Sequence, residues 1–338
     1  MNHEAALEEE LSRPAPADIE AMRELKGDLL VLGAGGKMGP SLARLAKRAS
    51  DEAGVKRRVI GVARFSDPRA RAELDGHGVE TVTCDVLDRA ALQRLPEAPN
   101  VVYMVGQKFG TQGDEARTWA TNVVAAAYAA ERFADSRIVA FSTGNVYPLS
   151  PVAGGGPRET DPVGPIGSYA QSALARERIF EFFSERHGTR VALLRLNYAV
   201  EPRYGVLRDL ADRIVSGQPV DLSMGHVNII WQRDANSVAL RCLAVASAPP
   251  FVLNLTGVPA LKVRDLAESL GRKLGKAPRF AGSEGDTALL SNASRCVELF
   301  GEPPMSVEGM VDAVAGWVQR GGGSLGKPTH FEEREGRF

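Results

Sequence analysis

The sequence predicts an α/β protein: a doubly wound parallel sheet of the Rossmann type, followed by a smaller mixed α/β domain toward the C-terminus. Three observations carry this. Short apolar runs alternate with segments of helical spacing between residues 29 and 200, the pattern of a parallel sheet with crossover helices. The first run, Leu29, Leu30, Val31 and Leu32, meets Gly33, Gly36 and Gly39, and Leu42 and Leu45 then restart at helical spacing. Beyond residue 200 the alternation loosens into shorter elements.

The glycine stretch is the organising one. Strand, tight turn and helix in that order form a phosphate cradle: glycines let the backbone approach a pyrophosphate, and the N–H groups and dipole of the new helix stabilise the anion. The spacing is Gly-x-x-Gly-x-x-Gly, with Met38 where the commoner Gly-x-Gly-x-x-Gly would end. Gly33, Gly36, Lys37, Met38 and Gly39 are the expected cofactor contacts.

At 338 residues the chain exceeds one average domain of roughly 100–200 residues. The expected division is a lead-in over 1–26, a dinucleotide-binding domain over 27–200, a substrate-binding domain over 201–320 interleaved with the first, and a tail over 321–338. Lys and Arg number 41 against 42 Asp and Glu, so a net charge of −1 offers no field to draw nucleic acid or an anionic membrane. No run approaches the ~20 apolar residues of a membrane span, and the acidic start MNHEAALEEE lacks the regions of a signal peptide. A cytoplasmic enzyme or binding protein acting on a small molecule is expected. Cys84, Cys242 and Cys296 are too few and too separated for a metal cage or a disulfide framework.

Residues 1–26 are polar, and Ser12–Pro16 divides them into an acidic piece and a short helix-like piece, read as a frayed lead-in on the sheet edge. The second strand, Val59–Ala63, runs into Arg64, with no acid before Asp67. In a dinucleotide fold a carboxylate here binds the ribose hydroxyls of NAD, whereas Arg accommodates the 2′-phosphate of NADP, so NADP is favoured with NAD as the alternative. The third strand, Val79–Cys84, leads to Asp85 and Val86, expected at the adenine, and to Asp88, the cap of the next helix. After the apolar fourth strand, Val101–Val105, comes a polar glycine loop, Gly106–Gly113. A long helix, Thr118–Phe133, contains Asn122, either a satisfied structural group or a tie between strand ends. The fifth strand, Ile138–Phe141, ends in Ser142, Thr143, Gly144, Asn145, Val146 and Tyr147, hydroxyls and an amide at the carboxyl edge where open sheets place ligands.

Pro148–Gly167 is aperiodic and rich in Pro and Gly, the composition of a substrate lid. Tyr169 opens an amphipathic helix through His187, with Leu174, Ile179, Phe182 and Phe183 as its apolar positions. Arg195, Asn197 and Tyr198 close the sixth strand, Val191–Leu196, and lead into the next loop; with Asn145 and His226 they are the expected substrate contacts. Further helices are read at Leu207–Ser216, Asp234–Ala246, Val263–Leu274 and Val307–Arg320, and strands near Val227–Trp231 and at Phe251–Leu255. The tail, a glycine tract and then a charged segment with His330 and Phe331, is either disordered or folded back over the cleft or onto a partner subunit.

These residues together resemble the extended short-chain dehydrogenase/reductase family, of the NAD(P)-dependent nucleotide-sugar epimerase and dehydratase type. The resemblance rests on Gly33/Gly36/Gly39, the Cys84–Asp88 segment, Asn122, Ser142–Tyr147, Tyr169, Leu194–Asn197 and Asn254–Gly257. It implies that Thr143 holds the substrate oxygen, that Tyr169 is the general acid/base beside the cofactor, that the substrate is sugar-like, and that the protein is a homodimer joined through the Trp119 and Tyr169 helices. The family reads Tyr-x-x-x-Lys, whereas here Ala173 stands where the lysine would be. That lysine favours the phenolate, lowering a pKa of ~10, and binds the nicotinamide ribose; alanine does neither. Three readings stay open: another cation, Arg176 or Lys108, substitutes; the chemistry needs no phenolate, with Tyr169 as an acid or Glu159, Asp161 or His226 as base; or the protein is a non-catalytic dinucleotide-binding sensor or scaffold. Two hydroxyls kept together favour an oxidoreductase or epimerase.

Overall fold

The structure, a computed structural model, describes residues 3–108 and 113–337, so part of the expected Gly106–Gly113 loop lies outside the described residues. The chain divides into two compact units. The first is Met1–Ser142 with Gln171–Leu194 and Asn236–Val252; the second is Thr143–Ala170 with Arg195–Ala235 and Leu253–Phe338. The lead-in thus belongs to the first unit, and the boundary expected at residue 200 is replaced by several crossings of the chain.

The sheet contains β1 (Leu29–Leu32), β2 (Val59–Ala63), β3 (Glu80–Thr83), β4 (Asn100–Tyr103), β5 (Arg137–Thr143), β6 (Arg190–Leu196) and β7 (Phe251–Leu255). Their order is β7-β6-β5-β4-β1-β2-β3, and the β1–β2, β2–β3, β1–β4 and β4–β5 ladders are parallel. The chain winds outward from β1 through β2 and β3, then crosses to β4 and winds the other way. The order therefore reverses between β1 and β4, the point at whose carboxyl ends such sheets bind ligands. Every residue of β1 and β4 is buried, which is why both read as unbroken apolar runs, whereas the edge strand β3 keeps both ends in solvent.

The lead-in is not frayed. It forms α1 (His3–Leu11) and α2 (Pro16–Glu24), packed on α3 (Gly39–Glu52) instead of on the sheet edge. Leu11 and Met22 are fully buried, and Arg48 of α3 pairs with Glu9 at 2.7 Å. Arg57 closes the end of α2: its Nε donates to the Gly27 carbonyl at 2.6 Å and its NH1 to the Met22 carbonyl at 3.1 Å. Burial holds that guanidinium below its ordinary pKa. Asp18 is fully buried, receiving the Ala15 N–H at 2.8 Å and the Ser237 hydroxyl. Asp18 is thus an internal anchor.

α4 (Pro68–Gly76) is capped by Asp67, which accepts from the Arg69 N–H, and α5 (Arg89–Gln93) by Asp88, which accepts from the Ala91 N–H at 2.9 Å. The single helix expected over Thr118–Phe133 is α6 (Glu115–Trp119), a π turn at Ala120–Val124, and α7 (Ala125–Arg132). α8 (Gly167–His187) follows. Its buried face is Ser172, Ala173, Arg176, Glu177, Phe180 and Ser184; Phe182, read as a core position, is 51% exposed. The apolar spacing misled because four of the buried residues are polar.

In the second unit α9 (Val206–Ser216), α11 (Val263–Leu274) and α13 (Val307–Gln319) pack together; α10 (Gln232–Arg241) and α12 (Ser294–Phe300) complete the helices named here. The Pro and Gly-rich loop is fastened in place: Ser150–Pro151 pairs antiparallel with Thr287–Ala288, and Asn292 N–H donates to the Pro157 carbonyl at 2.9 Å. The tail is ordered as a strap along α9. Trp317 Nε1 and Arg208 hold the Gly323 carbonyl at 2.9 and 3.1 Å, Thr329 binds Asp209, and Phe331 is buried.

Leu11→Ala should lower stability by about 2–5 kcal/mol, the cost of emptying a fully buried leucine site. Urea unfolding should show one transition at a lower midpoint; an unmoved midpoint would mean that the lead-in stands outside the cooperative unit.

Candidate active site

The turn after β1 is built by close approach. Gly33 takes φ 93°, and its N–H donates to the Val62 carbonyl at 2.8 Å, so the turn is tied to β2. A Cβ at Gly39 would lie 2.5 Å from the Gly33 carbonyl oxygen and 2.7 Å from the Ala34 Cα, so only glycine lets α3 start against the turn. Gly36 is less constrained, its Cβ position meeting only the Gly33 oxygen at 3.2 Å. Gly35 plays a part that the motif did not reveal: its Cβ position is filled by the Ala63 methyl at 3.1 Å, with the Phe65 ring at 3.8 Å. Among the described residues no side chain at the N-cap, Met38, bonds the start of α3; Gly36 is exposed beside it, and Lys37 and Met38 are half-buried.

At the same edge Arg64 is exposed after β2, and Phe65 follows in the left-handed region at φ 46°. Asp67, the nearest acid, is committed to the α4 cap and to Arg69, whose guanidinium holds the carboxyl below its usual range. Asp85 is exposed after β3 and accepts the Leu87 N–H at 3.0 Å, while Val86 packs against the core. Three neighbouring parallel strands thus deliver the glycine turn, Arg64 and Asp85 to one edge.

The carboxyl end of β4 is tied to α8 by buried polar groups. Asn122, in the π turn, accepts from the Gln107 N–H at 2.8 Å and donates to the Gln107 carbonyl at 3.1 Å and to the Ser172 hydroxyl at 2.8 Å. It ties the loop after β4 to α8, whereas the tie expected from the sequence was between strand ends. Arg176 donates to the Val105 carbonyl at 2.7 Å, and a Cβ at Gly106 would lie 2.8 Å from its NH1. Among the described residues, its Nε and the neighbouring Tyr103 hydroxyl are buried without hydrogen-bond partners. Burial pushes the Tyr103 phenol up, with the Arg176 charge opposing. The Ser142 hydroxyl donates to the fully buried Glu177.

In the second unit Thr143 is buried; its hydroxyl donates to Asn145 Oδ1 at 2.9 Å and accepts the Asn145 N–H at 3.2 Å. Asn197 adjoins this turn, its Cγ 3.1 Å from where a Gly144 Cβ would stand, with the Ser291 hydroxyl at 3.0 Å. Tyr169 bears electrostatically on Tyr198 and Tyr204, whose phenols burial raises well above their ordinary range, with Asp209 adding to the rise in each. Tyr198 itself sits at φ 47°. Thr143, Asn145 and Asn197 therefore form one group, and Tyr169 and Tyr198 another.

Arg195 is buried, its guanidinium 4.9 Å from the Tyr147 ring centre, and NH1 donates to the Tyr147 hydroxyl at 2.7 Å and the Glu159 carbonyl at 3.3 Å. Tyr147 donates in turn to Asn254 Oδ1 at 2.8 Å, and the Glu159 carboxylate accepts the Asn254 N–H at 2.8 Å. This network, whose linkage the sequence did not reveal, uses Arg195 and Glu159 to hold the loop. Asp161 likewise accepts the Arg158 N–H at 2.8 Å. His226 pairs across a short ladder with Lys262, its Nδ1 buried without a partner, and no hydrogen bond joins it to either group.

A parallel sheet reversing at β1/β4, with a glycine turn at that reversal, defines a Rossmann-type nucleotide-binding fold. Residues 29–228 match the NAD dependent epimerase/dehydratase family, and the chain belongs to it. Solved structures agree on the fold: Pal from Bacillus thuringiensis (17% identity, TM-score 0.73) and UDP-glucose 4-epimerase from Thermotoga maritima with UDP-glucose (20%, 0.71) each cover 87% of this chain over 99% of their own. WbmH from Bordetella bronchiseptica, in complex with NAD+, matches at 20% identity and TM-score 0.71, over 87% of this chain and 98% of its own. A comparison with curated protein sequences finds no match.

Gly39→Ala should cost about 1–3 kcal/mol, because its methyl collides with backbone that cannot swing aside. Gly36→Ala should cost less. Urea midpoints of the two variants test the ranking; equal values would mean that the close approach at Gly39 is not what sets the turn.

Proposed function

We propose that the protein is an NAD(P)-dependent oxidoreductase or epimerase acting on a hydroxyl-bearing or carbonyl carbon of a sugar-like small molecule. The observation that carries this is the pair of hydroxyls, Thr143 closing β5 and Tyr169 in the first turn of α8, in a chain of this family. UDP-glucose bound to the Thermotoga relative supports a sugar-like substrate. The turn fits a dinucleotide, since its Cβ-free cradle faces outward beside an uncapped helix start. Gly33, Gly36, Lys37, Met38 and Gly39 would hold the diphosphate, Arg64 the 2′-phosphate of NADP, Asp85 and Val86 the adenine, and Tyr169 the nicotinamide end. When bound, the coenzyme supplies or accepts a hydride.

Thr143, its hydroxyl oriented by Asn145, positions the reacting oxygen. Tyr169 exchanges the proton; Ala173 offers no charge at the family's lysine position, and Arg176 NH1 is engaged by the Val105 carbonyl. Asn145, Asn197 and Tyr198 contact the substrate, and Arg195 keeps that surface in place through Tyr147. The commitment of Asp67 as a cap supports NADP over NAD, because it leaves Arg64 as the group for the ribose end. The missing lysine favours a second reading, a dinucleotide-binding sensor or scaffold. A cytoplasmic homodimer completes the proposal: Trp119, at 39% exposure, and Phe182 present large apolar surfaces on the helices named for dimerisation. Among the described residues no helix is long and apolar enough to cross a membrane.

Arg64→Ala should weaken NADP about tenfold by calorimetry and leave NAD within twofold; equal losses for both would remove the phosphate role. With cofactor bound, Tyr169→Phe should abolish exchange of labelled hydride with keto-sugars and leave cofactor affinity unchanged. Absence of exchange in the unsubstituted protein would leave the sensor reading. Phe182→Glu should turn a dimer into a monomer in light scattering.

A further inference from the structure

We infer that the end of the tail, residues 332–336, is a removable cover over the substrate side of the second unit. The inference rests on the reading above that assigns that side to Asn145 and Tyr169. The space left is the first ground. Asn145, Tyr147 and Ile166 face Glu333, Arg334 and Gly336 across a cavity of about 20 Å³, room for roughly one water. Ligand pockets run to about 300–1,000 Å³, so no sugar-sized molecule seats against Asn145 while the strap is down.

The second ground is where the strap ends. Gly336 lies directly on Ile166 and Gly167, two residues before Tyr169, with its Cα 2.7 Å from where a Gly167 Cβ would stand. Upstream, Glu332 stands among the groups that raise the Tyr198 phenol, so the strap also reaches the Tyr169 cluster.

The third ground is the grading of its attachments. The root is deep: Thr329 gives Asp209 Oδ2 its N–H at 2.8 Å and its hydroxyl at 2.5 Å, and Phe331 is buried. Beyond the root the residues are half-buried or exposed. Glu332 pairs with Arg213 at 2.6 Å, both side chains partly exposed, and Arg334 donates to the Ser223 and Thr287 carbonyls, each at 2.9 Å, and to the Thr287 hydroxyl at 2.7 Å. Gly336 contributes no side chain. With no buried apolar side chain after Phe331, the distal segment is held by Arg334 and one partly exposed ion pair, and it lifts while Phe331 holds the root.

Two measurements test this. Trypsin should cut the native full chain after Arg334 much faster than the whole chain unfolds, leaving residues 1–334 as one fragment; cutting only at the unfolding rate would make the strap a fixed wall and overturn the inference. A chain ended after Phe331, which keeps the root, should bind NADP as the full chain does and UDP-glucose at least tenfold more tightly in its presence, and full-length Arg334→Ala should change in the same direction. Equal or weaker UDP-glucose binding by the shortened chain overturns the cover. If UDP-glucose binds neither chain, the trypsin result decides alone. Failure of both chains to bind either coenzyme sinks the proposed function, whatever trypsin shows.

Discussion

The site depends on the polar face that α8 turns toward the sheet. Ser172, Arg176 and Glu177 are buried: Ser172 accepts from Asn122, which itself holds Gln107 in the loop after β4, Arg176 donates to the Val105 carbonyl, and Glu177 accepts from Ser142 of β5. A buried polar group without a partner costs about 1–3 kcal/mol, so these three bonds fix one register of α8 against β4 and β5. Apolar residues would have packed there with more latitude. The register determines how the first turn of the helix, with Tyr169 in it, is presented, so buried polar residues outside the proposed proton transfer set its placement.

The same face explains how much was legible beforehand. β1, β2 and β4 are buried on both faces, so their runs of Leu, Val and Ile announced strands, and the glycines after β1 announced the turn. Thr143 and Tyr169 could be placed at element ends by position alone. The orientation of α8 was legible only in part: Ile179 and Phe183 pack against the core, but Phe182 is exposed, and Ser172, Arg176, Glu177 and Ser184, which apolar periodicity passes over, are buried. Asp18 and Arg57 are likewise charges held inside by partners distant in sequence, Ser237 for one and carbonyls near residue 25 for the other.

The second unit shows the complementary failure. Composition marked Pro148–Gly167 as a lid and left the tail between disorder and folding back, since both lack periodicity. Their order comes from backbone pairing and from single anchors, Ser150–Pro151 against Thr287–Ala288, Asn254 on Glu159, Phe331 in its pocket. Such contacts leave no repeating signal. Arg195 belongs here too: a charged residue at a strand end reads as a ligand contact, but its planar cation stacks on Tyr147 and supports the loop.

Arg176 bears on the missing lysine. A lysine at 173 would bring a compact charge one turn from Tyr169; here the cation sits a further turn along the helix, and its NH1 is fixed on the Val105 carbonyl. With Nε unpartnered and the Tyr103 hydroxyl unpartnered beside it, the guanidinium keeps much of its charge unscreened in a low-dielectric setting, at the loop that flanks the β1/β4 reversal. Charge at that place favours an anion arriving at the sheet edge more than ionisation of a phenol two helical turns away. Under the proposed chemistry, electrostatic assistance lies toward the sheet edge, and Tyr169 serves more readily as a proton donor than as a base.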